Sequence, residues 1–324
     1  MTDETKPRKW SDAEVEALRE RVEALIRAED LTRKQAAAES GIPYGTLTPW
    51  LGGTYAGDCS RIAERLQQWM EARGKRAAIR AVLPQIAFVA TPTSEAIHSL
   101  LHHAQSLPDM VVVTGAPGTG KTFAVCEFTK KTPNVFKLVA DPSLNSVRAL
   151  LGALANLLGT YDAGSQYRIS RAVTQRLTGI SALIIVDEAQ HLTSAMLDQL
   201  RAFHDQAACG IALVGNEAVI GRLEGGRRSA EFAQLYSRVG MRMRRPRPHT
   251  ADIEALLSAW QVEDAGPRGA LKAVARQAGG LRSMNKTWRL ASMLARSEGR
   301  ALTAADVDVA WRRLAASPVM QEAA

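Results

Sequence analysis

The chain has 324 residues, 46% of them hydrophobic and 23% charged, and carries a formal net charge of +8. A length above ordinary single-domain size with a globular composition predicts two or three domains and a sizeable core, and the excess of cations favours a polyanionic partner. Neither a signal core in the polar start Met1–Trp10, nor an apolar run long enough for a bilayer, nor a C-x-x-C pair among Cys59, Cys126 and Cys209 is present, so a cytoplasmic protein without membrane or disulfide framework is expected.

Residues 1–73 read as a small all-α domain. Val15, Leu18, Val22, Leu25 and Ile26 recur at helical spacing behind a Ser11–Glu14 capping box, and Thr32 with Gln35 makes a second such box. Gly41 then supplies a turn before a helix over Tyr44 to Leu51, the outline of a helix-turn-helix DNA reader in which Tyr44, Thr46 and Thr48 face base edges or phosphates. Gly45 and Pro49 oppose that helix, by about 1 and 3 kcal/mol respectively. A helical bundle serving protein contact is the alternative. Residues 74–92 read as a linker, basic at Lys75, Arg76 and Arg80 and punctuated by Pro84 and Pro92. A helix over Ser94 to Ser106 follows. Its His98, His102 and His103 raise a metal site, but no carboxylate or cysteine nearby completes a ligand set, so a polar helix face is expected.

The apolar run Met110-Val-Val-Val113 leads into Gly115-Ala116-Pro117-Gly118-Thr119-Gly120-Lys121-Thr122, which meets every fixed position of the P-loop G-x-x-x-x-G-K-[ST]. Glycines let backbone N–H groups approach an anion closely, and the helix that follows presents its positive end to it. Lys121 is placed to neutralise the β- and γ-phosphate oxygens of ATP, and the Thr122 hydroxyl to ligand Mg²⁺.

Beyond the loop, short apolar strands alternate with helices: Val135 to Ala140, helices around Ser146 to Leu158 and Ser170 to Leu177, Ala182 to Val186, and Ile211 to Val214. The pattern predicts an α/β fold with a parallel sheet covered on both faces, over residues 93–249. From 250 to 324 the periodicity is wholly helical, a separate lid. Asp187 and Glu188 end the run Leu183-Ile-Ile-Val186, at the carboxyl end of a buried strand where ligands bind in open α/β sheets. Asp187 would hold Mg²⁺ and Glu188 would polarise the water that attacks the γ-phosphate. Asn216, after Ile211-Ala-Leu-Val-Gly215, is suited to orient that water; it also fits an ordinary Gly-Asn turn.

This order of strand and P-loop, strand and Asp-Glu, strand and Asn, then helical lid resembles the AAA+ ATPases. The resemblance implies that Asn216 is the sensor-1 residue, that Arg238 is an arginine finger reaching a neighbouring subunit, and that Arg282, in Gly279-Gly-Leu-Arg282, is the lid's sensor-2 arginine. Taken with Trp50-Leu-Gly-Gly53, Tyr55-Ala-Gly-Asp58 and Gly280-Leu-Arg-Ser-Met-Asn-Lys-Thr287, most of the chain resembles the phage Mu B-type transposition proteins. That likeness implies an ATP-dependent, non-sequence-specific binder of double-stranded DNA in a bacterial cytoplasm. It also implies self-assembly into a helical filament, capture of target DNA and its delivery to a DDE transposase. AAA+ DNA binders present cations after the second strand, which points to Arg148.

Charge placement is compatible. Arg222, Arg227, Arg228, Arg238, Arg242, Arg244, Arg245 and Arg247 stand against two acids, Glu224 and Glu231, and Arg242 and Arg244 are candidates for phosphate contact. An intersubunit surface fits the same stretch. Two further readings are a helix-turn-helix transcription regulator whose ATPase gates its assembly, and an AAA+ loader or remodelling motor.

Overall fold

A computed structural model describes residues 10–82, 87–219 and 238–315. The chain divides into two compact units, Met1–Pro84 and Gln85–Ala324. Pro84, Arg222, Glu224, Arg227, Arg228 and Glu231 lie outside the described residues.

In the first unit, α1 (Asp12–Ala28) and α2 (Arg33–Ser40) begin at the two expected capping boxes, in which the Ser11 and Thr32 hydroxyls accept the N–H groups of Glu14 and Gln35. Gly41 closes α2 at φ +65°, a left-handed conformation that suits glycine, and α3 (Tyr44–Leu51) follows. Helix α3 forms in spite of Gly45 and Pro49 because Leu47 and Trp50 are fully buried against Leu18, Val22 and Leu66. Burial of each such side chain, about 1.5–3 kcal/mol, outweighs the propensity deficit. Helix α4 (Cys59–Val82) runs on through Gly74, where a linker was expected to begin, and carries Lys75 and Arg76 on a helix rather than in a loop.

The second unit holds a five-stranded sheet in the order β2-β3-β4-β1-β5, all pairings parallel. Its elements are α5 (Pro92–Ser106), β1 (Met110–Gly115), α6 (Lys121–Lys131), β2 (Val135–Val139), α7 (Val147–Leu158), α8 (Gln166–Leu177), β3 (Leu183–Asp187), α9 (Ser194–Ala207), β4 (Gly210–Gly215) and β5 (Val239–Arg245). The central strands are buried on both faces, which is why they read as unbroken apolar runs. Val112, Ile184, Val186, Ile211 and Leu213 pack on one side with Leu150, Leu154, Ile169 and Phe203 of α7, α8 and α9. Val111, Val113, Ile185 and Val214 pack on the other with Ile97, Leu101, Ala124 and Phe128 of α5 and α6. Strand β5 was read as a basic stretch, not a strand. It is an edge strand paired only with β1, so Arg242 and Arg244 remain exposed while the backbone ladder forms.

The histidines of α5 lie at the margin of the core: part-buried His98 has its Nε2 2.9 Å from the Ala124 carbonyl, and exposed His102 packs edge-on against Phe128 at 4.7 Å between ring centroids. His103 Nε2 lies 3.3 Å from an Asp109 carboxylate oxygen.

The lid comprises α10 (Thr250–Ala259), α11 (Ala265–Ala275), α12 (Gly280–Ser297) and α13 (Ala304–Ala315), around Leu257, Leu271, Met284 and Val307. Trp260 stacks on Trp288 with centroids 4.2 Å apart and an interplanar angle of 7°. Fully buried Asp252 of α10 fastens the lid to the start of α5, accepting the Thr93 backbone N–H at 2.9 Å and its hydroxyl at 2.6 Å. Among the described residues no helix is long and apolar enough to cross a membrane.

Candidate nucleotide-binding site

The carboxyl ends of β1, β3 and β4 and the first turn of α12 surround a cavity of about 420 Å³. Strand β1 delivers the chain to the loop, where Gly115 lies so close to the Arg245 carbonyl of β5 that a Cβ would overlap it. Gly118 and Gly120 adopt φ of +80° and +91°, values that suit glycine and turn the backbone of Gly118 to Lys121 around the cavity. A Cβ on Gly118 would overlap the Gly279 carbonyl of the lid. The Gly118 carbonyl accepts the Leu281 N–H at 2.9 Å, so loop and lid meet main chain to main chain.

Lys121 folds back over this loop, its Nζ donating to the carbonyls of Gly115 and Ala116 at 2.7 and 3.0 Å and to Thr119 Oγ1 at 3.3 Å. Burial pushes its pKa below the ordinary lysine range; the nearby carboxylates of Glu188 and Asp187 act against that shift, and the Arg282 cation reinforces it. An anion in the loop would relieve this desolvated ammonium. Thr122 lines the cavity beside it, and Ala116, Pro117, Thr119 and Gly120 complete the cradle.

Asp187 is buried, 2% exposed, at the end of β3. One carboxylate oxygen accepts the Glu188 N–H at 3.1 Å and the other lies 3.6 Å from Lys137 Nζ. Glu188 takes a left-handed conformation, φ +56°, ψ +37°, at the mouth of the strand and lines the cavity. A non-glycine residue there carries backbone strain of the kind held at functional sites. Its carboxylate accepts the Gln190 side-chain amide, whose oxygen in turn accepts the Asn216 backbone N–H at 3.3 Å. Asn216 Oδ1 accepts the Ala218 N–H at 2.9 Å, the turn geometry weighed for it, and the residue still lines the cavity. Arg282 lines it from the lid.

Sequence reasoning missed Gln190 and Lys137. The second had a visible signal, a single lysine inside an apolar strand; the first had none, because its role depends on how the chain turns after β3. Also missed was the wall formed by Phe88, Val89, Leu256 and Trp260, apolar residues from the lead-in to α5 and from α10 and its C-cap. Asn285 Oδ1 is buried on that wall without a hydrogen-bond partner among the described residues. A glycine cradle, a desolvated lysine and an apolar wall with a spare polar atom fit a nucleoside triphosphate. Thr122 lines the cavity with a hydroxyl, a hard oxygen of the kind Mg²⁺ takes as a ligand, whereas the buried Asp187 carboxylate stands at the end of β3 and is not among the lining residues.

Residues 237–314 match the family described as "Mu B transposition protein, C terminal", and residues 104–223 match an AAA domain. The chain is 35% identical over 298 residues to the "ATP-dependent target DNA activator B" of Escherichia phage D108, covering 92% of this chain and 95% of that one. The chain belongs to the Mu B transposition protein family. Its counterpart in Escherichia phage Mu, of the same name, matches at the same identity and coverage. The fold of this Mu B family member is AAA+. It resembles the Aeropyrum pernix Orc1 protein in complex with DNA, with a TM-score of 0.53, 15% identity, and coverage of 73% of this chain and 69% of that one. Drosophila ORC bound to DNA gives a TM-score of 0.52 at 16% identity, covering 74% and 66%.

Elsewhere in this Mu B family chain, Arg238 is half-exposed and sits before β5, its Nε 3.6 Å from an Asp205 carboxylate oxygen. Val239 pairs with Met110 whereas Arg245 pairs with Gly115, so Arg238 lies at the opposite end of the sheet from the P-loop, about 20 Å away at strand rise. Arg148 is exposed and donates to the Asp162 carbonyl at 3.2 Å. Arg244 pairs with Glu217 at 3.0 Å. Tyr44 is exposed and Thr46 half-buried, whereas the Thr48 hydroxyl is turned inward, buried and unpartnered among the described residues.

Proposed function

We propose that this chain is an ATP-hydrolysing, non-sequence-specific binder of double-stranded DNA that assembles into helical filaments with ATP, captures target DNA and delivers it to a DDE transposase. The observation that carries the reading is the convergence of Gly115–Thr122, Glu188, Asn216 and Arg282 on one cavity, in a chain whose phage relatives are named ATP-dependent target DNA activators. Lys121 exchanges loop carbonyls for phosphate oxygens. Thr122 and Asp187 would hold Mg²⁺, which supplies charge neutralisation between the phosphates. Glu188 takes the proton of the attacking water, and Asn216 orients that water. Arg238, remote from its own cavity, serves the site of an adjacent copy. Arg148, Arg242, Arg244 and Tyr44 are candidate DNA contacts.

Negative-stain electron microscopy with random-sequence duplex tests the reading under ATP, a slowly hydrolysed analogue, ADP and no nucleotide. Filaments restricted to the triphosphates are expected. Discrete dimers or closed rings indifferent to DNA would reject it. Glu188→Gln should bind ATP without turnover and trap the filaments; ordinary turnover would remove Glu188 from its role.

A further inference from the structure

The turn between α7 and α8 gathers aromatic and cationic side chains that the nucleotide site does not use. From Pro142 to Val186 the sequence holds four arginines, Arg148, Arg168, Arg171 and Arg176, against a single acid, Asp162. Two of them, Arg148 and Arg168, meet at one turn, and Arg171 stands next to it on α8. Arg148 donates to the Asp162 carbonyl, fixing the turn from α7. Over Gly164, at φ +88°, Tyr161 Oη and Arg168 Cδ approach within 3.7 and 3.8 Å of where a Cβ would stand. Arg171 lies over the Tyr167 ring at 5.9 Å and donates to its hydroxyl at 3.3 Å. Tyr161 is 53% and Tyr167 68% exposed. None of Arg148, Arg168 and Arg171 is ion-paired with a carboxylate among the described residues. On α9, packed behind α8, Asp198 is already taken by Arg201.

We propose that this turn is a docking surface for the phosphodiester backbone of duplex DNA, with Arg168 and Arg171 as phosphate ligands and Tyr161 and Tyr167 as hydroxyl donors and packing faces. The assignment rests on the DNA-binding reading above and names the surface that serves it. Charge decides the occupant: a polyanion satisfies cations that no carboxylate among the described residues holds, while tyrosine hydroxyls and arginines are among the groups that contact phosphate. Gly159 and Gly164, both left-handed, together with the Ser165 N-cap, hold the turn in place without burying it.

Fluorescence anisotropy of the full chain with labelled random duplex, at a series of salt concentrations and with a slowly hydrolysed ATP analogue, tests it. Arg168→Glu/Arg171→Glu should weaken binding at least about tenfold at low salt. Arg168→Gln/Arg171→Gln should reduce the slope of log K against log salt by about two, and Arg168→Lys/Arg171→Lys should restore most of it. Affinity for a fluorescent ATP analogue should stay at the wild-type value in all three, which also reports folding. If the charge-reversed protein loses nucleotide binding, Tyr161→Ala/Tyr167→Ala replaces it and should still weaken DNA binding. An unchanged affinity and salt slope would overturn the surface alone. Altered self-association without a change in salt slope would assign it to a second copy of the chain and likewise overturn it. A wild-type protein that binds no duplex in any nucleotide state would overturn the functional reading itself.

Discussion

The side-chain amide of Gln190 donates to the carboxylate of Glu188. Because the same side chain also accepts the Asn216 N–H, the end of β3 and the end of β4 share one hydrogen-bonded bridge. Gly215 leaves room for it, since a Cβ there would stand 2.5 Å from Gln190 Oε1. Gln190→Ala is expected to lower ATP turnover by about 10–100-fold, the scale on which small misplacement of a reacting group acts, while leaving nucleotide affinity near wild type. Turnover at the wild-type rate in a steady-state phosphate-release assay would show that the bridge does not position Glu188.

Gly118→Ala introduces a Cβ into the Gly279 carbonyl at a position already in the left-handed region. Strain of about 1–3 kcal/mol is expected, relieved by parting the loop from the lid. Nucleotide affinity should therefore fall by about tenfold or more, measured by titration with a fluorescent analogue. Equal affinity would mean that the lid is not closed on the loop when nucleotide binds.

Lys121 carries a pH signature. Its folded-state pKa lies below the ordinary lysine value of 10.5, so between the two the unfolded chain binds more protons than the folded one. Nucleotide-free stability should rise with pH across that window, and Lys121→Met should flatten the rise while abolishing ATP binding. Chemical denaturation at several alkaline pH values measures the slope. An identical slope in the variant would place the proton uptake elsewhere.

Trp260 lines the cavity and stacks on Trp288 of α12. Nucleotide that alters the lid should change intrinsic tryptophan emission, and Trp288→Phe should remove most of that change at a stability cost of about 0.5–1.5 kcal/mol for the lost ring pair. Emission that ignores nucleotide in the wild type would refute the coupling.

The sheet, the P-loop and the lid were legible because each leaves a local trace: unbroken apolar runs, a fixed glycine spacing, a change from strand to helix period. Glu188 was legible as a residue but not in its left-handed backbone, which comes from the way Ala189–His191 turn after β3. Strand β5 was hidden because an edge strand tolerates arginines that a central strand excludes. Gln190 and the aromatic wall were hidden for a different reason. They meet their partners only through the fold, Gln190 across β3 and β4, and Leu256 and Trp260 across the cleft from Phe88. Helix α3 was legible over Tyr44 to Leu51 in spite of Gly45 and Pro49, and the burial of Leu47 and Trp50 is what overrides that propensity deficit.

Arg238 stands at the far end of the strand pair from its own P-loop. In the assembly proposed above, Arg238 would complete a neighbour's site and its own would be completed by the next copy. In an open row of such molecules the finished sites number one fewer than the molecules, and one end always carries an unfinished one. Hydrolysis per molecule should then start from almost nothing in isolated copies, climb with row length and level off, with the unfinished end as the place where triphosphate survives longest.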